Sequence, residues 1–238
     1  SRALPEARAD SAAYSVNPSI YPDLPFDTRK AFVEIAPLGG QPNVLVVAPA
    51  SGIKSVQDLV TQAKQKPGVF NYGSAGAGSG THINAEKFRL ATGIDAVHVP
   101  YKGTPEALTD TMAGRVTFFF SPISAALPQV KDGKLVALAV SSAQRSSALK
   151  DVPTIAESGV PGFDYNLWVG LFGPAAMPAD IVERINKDVT RALATPEIKE
   201  RLANLGAEPM PMTPAEFKQF AHDEMDVGAR IVKAAGVK

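Results

Sequence analysis

The chain has 238 residues, of which 45% are apolar and 20% charged, and its 24 basic residues balance its 24 acidic ones. A chain of this length forms one large or two small domains and can bury roughly 70–75% of its unfolded surface. Zero net charge argues against a nucleic-acid binder and against a polybasic membrane-surface protein, because both carry a basic excess. The composition is otherwise ordinary for a globular protein.

The chain contains no cysteine, which excludes disulfide scaffolds, thiolate metal sites, iron–sulfur clusters and cysteine nucleophiles. No apolar run approaches the roughly 20 residues that cross a bilayer. The first 15 residues carry charges but lack the apolar centre of a signal peptide. We therefore expect no direct membrane insertion and no signal peptide in this chain, as in a mature exported protein whose signal has been removed.

Short apolar strands alternate with amphipathic helices after a Pro-, Ser- and Ala-rich start. The predicted strands cover residues 33–38, 43–48, 69–72, 96–99, 116–120, 135–140, 167–172 and 208–210. The predicted helices begin at Ser55, after the glycine-rich segment, at Thr104 as N-cap, after Pro122, and at residues 179, 196 and 213. Acidic residues stand at the capping-box spacing after Ser55, Thr154 and Thr213, which favours helix starts there.

This alternation predicts an α/β fold with mostly parallel sheets. The helical patterns after residue 172 are typical of a closing layer over an earlier sheet. They suggest two lobes with crossovers near residues 43–48 and 164–168. We place the first lobe at residues 1–44 and 165–238 and the second at residues 45–164.

The strongest candidate for a ligand site is the glycine-rich segment YGSAGAGSGTH, residues 72–82. A strand, a glycine-rich turn and a helix form an anion-binding arrangement, since small residues let the backbone approach a ligand and free N–H groups point at negative charge. The hydroxyls of Ser74, Ser79 and Thr81 add donors. The alternative is a strand–helix turn that needs little steric bulk and binds nothing.

Three enzyme motifs fail in this segment. A phosphate loop requires a lysine that is absent, and Thr81 stands where a dinucleotide fingerprint has its third glycine. Around Ser74, Tyr72 replaces the first glycine of a nucleophile elbow. A carboxylate held by amides and hydroxyls fits, and a small serine hydrolase that uses Ser74 is kept as the alternative.

The three histidines are too few for extensive acid–base or metal chemistry, and we expect no metal and no cofactor. His82, at the start of a helix, either lines the ligand cleft or caps backbone. His98 lies within a strand and is predicted to be packed and hydrogen-bonded. His222 and Glu224 are predicted to face solvent from the last helix.

Two further strand–helix junctions follow the glycine-rich segment. The turn Tyr101-Lys102-Gly103 would lie beside it in a parallel sheet, where Lys102 adds positive charge; a plain turn with an exposed lysine is the alternative. Ser121 stands at the third junction. Trp168, the sole tryptophan, is either a core anchor or a wall of a cleft between lobes.

Taken in order, these motifs resemble the receptor family of tripartite tricarboxylate transporters, the Bug-type extracytoplasmic solute-binding proteins. The resemblance runs from about Tyr14 to Lys238. It is carried by NPSIYPDLPFDTRKAF, NVLVVAPASGIKSVQDLV, YGSAGAGSGTH, VHVPYKGTPEALTDTMAGRV, GKLVALAVSSAQRSSALKDVPTIAES, PGFDYNLWVGLFGPAAMPADIVERIN and RLANLGAEP.

The resemblance implies a two-lobed, type II periplasmic-binding-protein fold that closes around its ligand by a hinge motion, with no bond made or broken. It implies a periplasmic protein, expected as a monomer, that captures a small organic carboxylate for membrane permease subunits. The ligand-binding residues carried over from the family are Ser74, Ala75, Gly76, Gly78, Ser79, Thr81 and His82, with Tyr101, Lys102 and Gly103 beside them and Ser121 and Trp168 as walls.

Residues 1–13 depart from the family pattern, which has a strand and a Pro/Gly-rich loop before the NPSIY segment. We therefore expect the first lobe to be incomplete at its N-terminus and to lack the other half of the carboxylate site. Weak or absent carboxylate binding, or a degenerate lobe used for protein contacts, follows as an expectation.

Overall fold

The computed structural model describes residues 7–10, 12–20 and 23–236, which divide into two compact units. The first unit is discontinuous and comprises Ser1–Gly40 and Leu167–Lys238, and the second comprises Gln41–Asn166. The predicted lobe boundaries, 44/45 and 164/165, differ from these by four and two residues. Within the described residues, no helix combines the length and the hydropathy that a bilayer crossing requires.

The first unit contains three strands and five helices among its described residues. Tyr14, Trp168, Phe172, Phe217 and Met225 form its aromatic core, in which the rings of Tyr14 and Phe172 stack at 4.4 Å between centroids. The elements are β1 (Ala7–Asp10), a π-helical turn (Ala12–Val16), α1 (Asn17–Ile20), α2 (Thr28–Ala31), the first part of β2 (Phe32–Val47), β7 (Asn166–Pro174), α7 (Ala179–Leu193), α8 (Pro196–Asn204) and α9 (Pro214–Ala235). Strand β7 lies between β1, to which it is antiparallel, and β2.

The second unit is built on a five-stranded sheet in the order β6-β2-β5-β3-β4. Its elements are the second part of β2, α3 (Val56–Gln65), β3 (Phe70–Ser74), α4 (Gly80–Thr92), β4 (Ala96–Pro100), α5 (Thr104–Met112), β5 (Phe118–Pro122), α6 (Ile123–Lys131) and β6 (Val136–Val140). Phe88 of α4 packs on Phe118 and Phe120 on one face of the sheet. Helices α5 and α6 contribute Leu108 and Ile123 to a core on the other face.

Strand direction adds one exception to the mostly parallel sheet that the sequence predicts. Strand β3 is parallel to both β4 and β5, whereas β2 is antiparallel to both β5 and β6. The sheet is therefore mixed: β3, β4, β5 and β6 run the same way and β2 alone runs against them. The physical reason is connectivity, because crossover helices join β3 to β6 in succession, while β2 reaches the sheet directly from the first unit.

Strand β2 is also longer than predicted. The sequence suggested two strands at residues 33–38 and 43–48, separated by Gly-Gly-Gln-Pro, but the structure has one continuous strand, Phe32–Val47. Backbone hydrogen bonds between Gly40 and Glu208, of 2.9 and 2.8 Å, support the strand at the glycines. The short strand predicted at 208–210 is reduced to this bridge.

Helix starts agree with the capping signals at most positions. The Ser55 side chain caps α3, and Thr213 and Glu216 form a complete capping box at α9. Thr154 and Glu157 make the same reciprocal bonds, of 3.0 and 2.8 Å, in a turn that does not continue as a helix. At α5 the prediction is wrong by one residue, since Gly103 is the N-cap and Thr104 is the first helical residue.

His222 does not face solvent as predicted. Its Nε2 lies 3.2 Å from Oε1 of Glu34, and Glu34 is only 3% exposed. The Tyr14 hydroxyl donates to the same carboxylate oxygen at 2.5 Å. His222 follows the buried Ala221 on α9 and is itself partly buried, with 21% of its side chain exposed.

Gly170 provides a test of the first unit's core. A Cβ at this position would lie inside the van der Waals shell of the Phe217 ring and 3.0 Å from Cε2 of Phe172. We expect Gly170→Ala to lower the free energy of unfolding by about 1–3 kcal/mol, because the rings must shift. Urea unfolding followed by Trp168 fluorescence measures this.

The matched control is Val169→Ala on the exposed face of the same strand, where Val169 is 41% exposed. It should change stability by no more than about 0.5 kcal/mol. Equal effects of the two substitutions would contradict the packing described here.

Candidate functional site

The glycine loop (residues 75–79) connects β3 to α4 at the carboxyl edge of the second unit's sheet. Tyr101, which follows the neighbouring strand β4, donates its backbone N–H to the carbonyl of Ser74 at 3.0 Å. Ser121, near the end of β5, lies at the same edge. Open α/β sheets bind ligands at this edge, and the structure brings the three predicted strand–helix junctions together there.

Side chains hold the backbone of the glycine loop. Thr81 Oγ1 accepts from the N–H of Ala75 at 2.9 Å, and His82 Nδ1 accepts from the N–H of Gly78 at 3.0 Å. Ser74 Oγ accepts from the N–H of Gly76 at 3.1 Å. The hydroxyls that the sequence suggested as ligand donors therefore act first as the scaffold of the loop.

Two glycines are required by the shape of this loop. Gly76 has φ of 122° and Gly78 has φ of 76°, a region that other L-residues rarely enter. The Gly76 carbonyl accepts the hydroxyl hydrogen of Ser79 at 2.7 Å. The loop thus turns back on itself so that Ser79 becomes the N-cap of α4.

The start of α4 can bind an anion. The Ser79 hydroxyl accepts from the N–H of His82 at 3.3 Å. The N–H groups of Gly80 and Thr81 precede that capped position, and neither donates a hydrogen bond within residues 7–10, 12–20 and 23–236. Orphan N–H groups and the helix dipole together favour a negative group at such a terminus.

Beneath the loop lies a stack of three rings, formed by Tyr72, His98 and His82. The two imidazoles are 3.7 Å apart between centroids and nearly parallel at 8°, and Tyr72 lies 5.1 Å from His98. His98 Nε2 is 2.6 Å from Ser74 Oγ. His98 is therefore packed and hydrogen-bonded, as predicted, and His82 caps backbone, one of its two predicted roles.

Both imidazoles favour the neutral form. Burial lowers the pKa of His82, and burial together with the neighbouring His82 lowers the pKa of His98 to about 4. Glu86, one turn after His82, accepts from the Tyr72 hydroxyl and from Arg89 Nε at 3.0 Å. Burial and this bond to Glu86 raise the pKa of Tyr72 above its usual range.

The second junction is fixed by its own side chains. The Tyr101 hydroxyl donates to Asp110 at 2.8 Å, and the N–H of Lys102 donates to Glu106 at 3.2 Å. The Lys102 side chain is exposed, and Gly103 is extended with φ of 177°. Tyr101 thus lies beside the loop, and a ligand role for Lys102 and Gly103 stays a prediction.

The two residues expected as walls occupy buried positions. Ser121 is fully buried, and its hydroxyl donates to the carbonyl of Pro122 at 3.1 Å. Trp168 belongs to the first unit, where it is fully buried and its ring packs edge-on against Phe217 at 5.5 Å. Its full burial against Phe217 corresponds to the core-anchor alternative.

Two buried asparagines near the site, Asn43 and Asn84, are not among the residues that the sequence predicts for it. Asn43 and Asn84 are fully buried in the second unit, and their side-chain amides have no hydrogen-bond partner among the described residues. Asn43 pairs with Pro122 across β2 and β5, at the edge that carries the loop. The sequence does contain a signal for their burial. Asn43 is the first residue of the predicted apolar strand 43–48, and Asn84 is four residues before the buried Phe88 on the same helix.

Comparison with known proteins identifies the family to which this chain is similar. The family model described as "Tripartite tricarboxylate transporter family receptor" matches residues 7–237. The "UPF0065 protein in tcbD-tcbE intergenic region" of Pseudomonas sp. (strain P51) is 33% identical over 198 residues, covering 83% of this chain. The chain spans only 59% of that relative's length.

Two solved structures with bound ligands are similar to the whole described fold. Rpa4515 of R. palustris with adipate has a TM-score of 0.84 and 30% identity, covering 98% of this chain and 78% of that one. MatC (Rpa3494) of Rhodopseudomonas palustris with bound malate has a TM-score of 0.77 and 27% identity, covering 94% and 78%. The predicted two-lobed, type II periplasmic-binding-protein fold is confirmed.

The lowered imidazole pKa values make stability depend on pH. The unfolded chain takes up protons on His82 and His98 near the ordinary value of 6.5, and the folded chain only at lower pH. Their contribution is therefore complete above about pH 6.5 and is lost as the pH falls toward about 4. Urea midpoints across this range should decline.

The decline should be smaller in His98→Gln, which cannot titrate. Val169→Ala, an exposed substitution in the other unit, is the matched control and should keep the decline of the unaltered chain. The same slope in His98→Gln as in the control would show that His98 is not buried in its neutral form.

Proposed function

Because the chain belongs to the tripartite tricarboxylate transporter receptor family, we propose that it is a solute-binding receptor that captures a small organic carboxylate. The observation that carries the proposal is the glycine loop with its anion-binding helix start. We propose the periplasm as its compartment, where receptors of this family act, and membrane permease subunits as its partners.

The loop suits a carboxylate better than a phosphate ester. Two main-chain donors, the N–H groups of Gly80 and Thr81, match the two oxygens of one carboxylate, and the adjacent imidazoles are neutral. A more highly charged group would need cationic side chains. Adipate and malate, bound by the two similar structures, are dicarboxylates, so we propose a dicarboxylate as the solute class.

The site residues proposed for this role follow the geometry. Gly80 and Thr81 donate to the carboxylate, and Ser79, a residue carried over from the family, orients the helix start. Ser74, Gly76, Gly78 and His82 hold the loop in shape. Tyr101 borders it, whereas Ser121 and Trp168 have no proposed contact with the ligand.

One observation favours a second candidate, a serine hydrolase, because Ser74 Oγ and His98 Nε2 lie 2.6 Å apart. Three features oppose it. Ser74 is fully buried, its hydroxyl already bonds both the N–H and the carbonyl of Gly76, and the lowered pKa of His98 makes it a weak base. Hydrolysis of p-nitrophenyl esters that is lost in Ser74→Ala would reverse this judgement.

We expect adipate or malate to raise the thermal midpoint, because a ligand that prefers the native state stabilises it by about 2.7 kcal/mol at a hundredfold excess over Kd. Adipamide, which has the same length without charge, is the control and should give no shift. Absence of a shift with every carboxylate tested, or an equal shift with adipamide, contradicts the proposal.

Thr81→Val should weaken binding about tenfold, roughly 1.4 kcal/mol, because the N–H of Ala75 loses its acceptor and the loop loosens. Thr109→Val is the matched control, since Thr109 bonds only its own helix at the carbonyl of Pro105. Calorimetry with adipate compares the two variants. Unchanged adipate affinity in Thr81→Val would show that the shape of the glycine loop does not affect ligand binding.

A further inference from the structure

Each imidazole of the ring stack binds a different end of the glycine loop. His98 Nε2 meets the hydroxyl of Ser74, where the chain leaves β3, at 2.6 Å. His82 Nδ1 accepts the N–H of Gly78, just before α4, at 3.0 Å. An acceptor nitrogen carries no proton, so this second bond exists only while Nδ1 of His82 is unprotonated.

The stack itself opposes a charge on either ring. The imidazoles lie face to face at 3.7 Å, and the Tyr72 ring lies beside them, 5.1 Å from His98 and 6.3 Å from His82. A proton on one ring therefore places a cation against the second ring, and protons on both rings place two cations in contact. Water reaches this contact poorly, since His82 is only 4% exposed.

The charged groups around the stack offset such a cation only in part, because burial lowers the pKa of both imidazoles more than Glu86 raises it. From α4, Glu86 faces the rings, but its carboxylate is already bound by Arg89 on the same helix and by the Tyr72 hydroxyl from β3. Asp95, in the turn before β4, acts on Arg89. From β5 the stack meets Phe118, which is uncharged, at 5.6 Å from Tyr72.

We propose that His82 and His98 are positioning residues that hold the glycine loop in its carboxylate-accepting form only while both rings are neutral. Protonation breaks the bond to Gly78, separates the rings and releases the loop, while the sheet beneath it stays folded. The inference rests on the function proposed above and adds its regulation: capture of the solute weakens as the medium becomes acidic. Burial lowers the pKa of both rings, so the release occurs below the ordinary imidazole value of 6.5.

The first arm of the test needs no ligand. Proton–nitrogen NMR spectra from about pH 7 to about pH 4 follow the imidazole nitrogens and the backbone amide of Gly78. The chain has only 3 histidines, which makes their assignment simple. We expect the Gly78 amide to shift and to exchange faster with the same midpoint as His82, while far-UV circular dichroism stays constant.

Gly133 is the internal control of this arm. Its amide donates to the carbonyl of Val130 at 3.0 Å, in a turn that contains no histidine and belongs to the same unit. Its resonance should not follow either histidine. A Gly78 amide that titrates no more than that of Gly133 overturns the inference, whatever the binding experiments give.

The second arm measures adipate affinity by calorimetry over the same pH range. Affinity should fall about tenfold for each pH unit below the imidazole midpoint, because one proton must leave before the loop can bind. The double variant His82→Gln/His98→Gln shares the titration of adipate itself, so the ratio of the two affinities isolates the rings. The affinity of the unaltered chain divided by that of the double variant should fall as the pH falls.

The outcomes separate the inference from the proposed function. The inference is overturned if the ratio of the two adipate affinities does not change with pH. It is equally overturned if the double variant loses as much affinity at low pH as the unaltered chain. Absence of adipate and malate binding at every pH, with a Gly78 amide that still follows His82, contradicts the receptor function but supports the positioning role. Because the first arm uses the unaltered chain, a double variant that fails to fold leaves the test intact.

Discussion

The candidate site depends on one constraint: a loop made of glycines cannot hold itself in shape. Gly76 and Gly78 supply the backbone angles that bring the chain into α4, but they contribute no side chains to fix it. Thr81, Ser74 and His82 provide that restraint by accepting N–H groups of the loop. The glycines thus supply the backbone angles, and other residues supply the side chains that hold the loop in place.

The second unit's sheet brings those neighbours together. Because β3 and β4 are parallel and in register, Tyr72 lies opposite His98 and Ser74 opposite Pro100. This register delivers a β4 imidazole to a β3 hydroxyl that is 24 residues away along the chain. The same parallel arrangement collects the strand–helix junctions at one edge, so the fold positions the loop before any side chain adds specificity.

Local signals in the sequence predicted most of this. Caps at Ser55 and Thr213, the apolar strands and the glycine-rich segment all concern neighbours in the chain, where residue type decides structure directly. Pairing and burial were harder to predict. Nothing local distinguishes Ser121, whose hydroxyl turns to its own backbone, from a donor that faces a ligand, or shows that β2 runs against its neighbours. The partnership of Ser74 with His98 needed the register of two strands, which only the assembled sheet determines.

Recognition by the main chain has an evolutionary consequence. The donors proposed at Gly80 and Thr81 are backbone N–H groups, and every residue except proline carries one, so substitution rarely removes them. Mutational drift in the surrounding side chains can then alter which solute is preferred while the carboxylate anchor is inherited unchanged. Receptors with such an anchor can therefore change the acid that they prefer in small steps, and the intermediate at each step still works as a receptor.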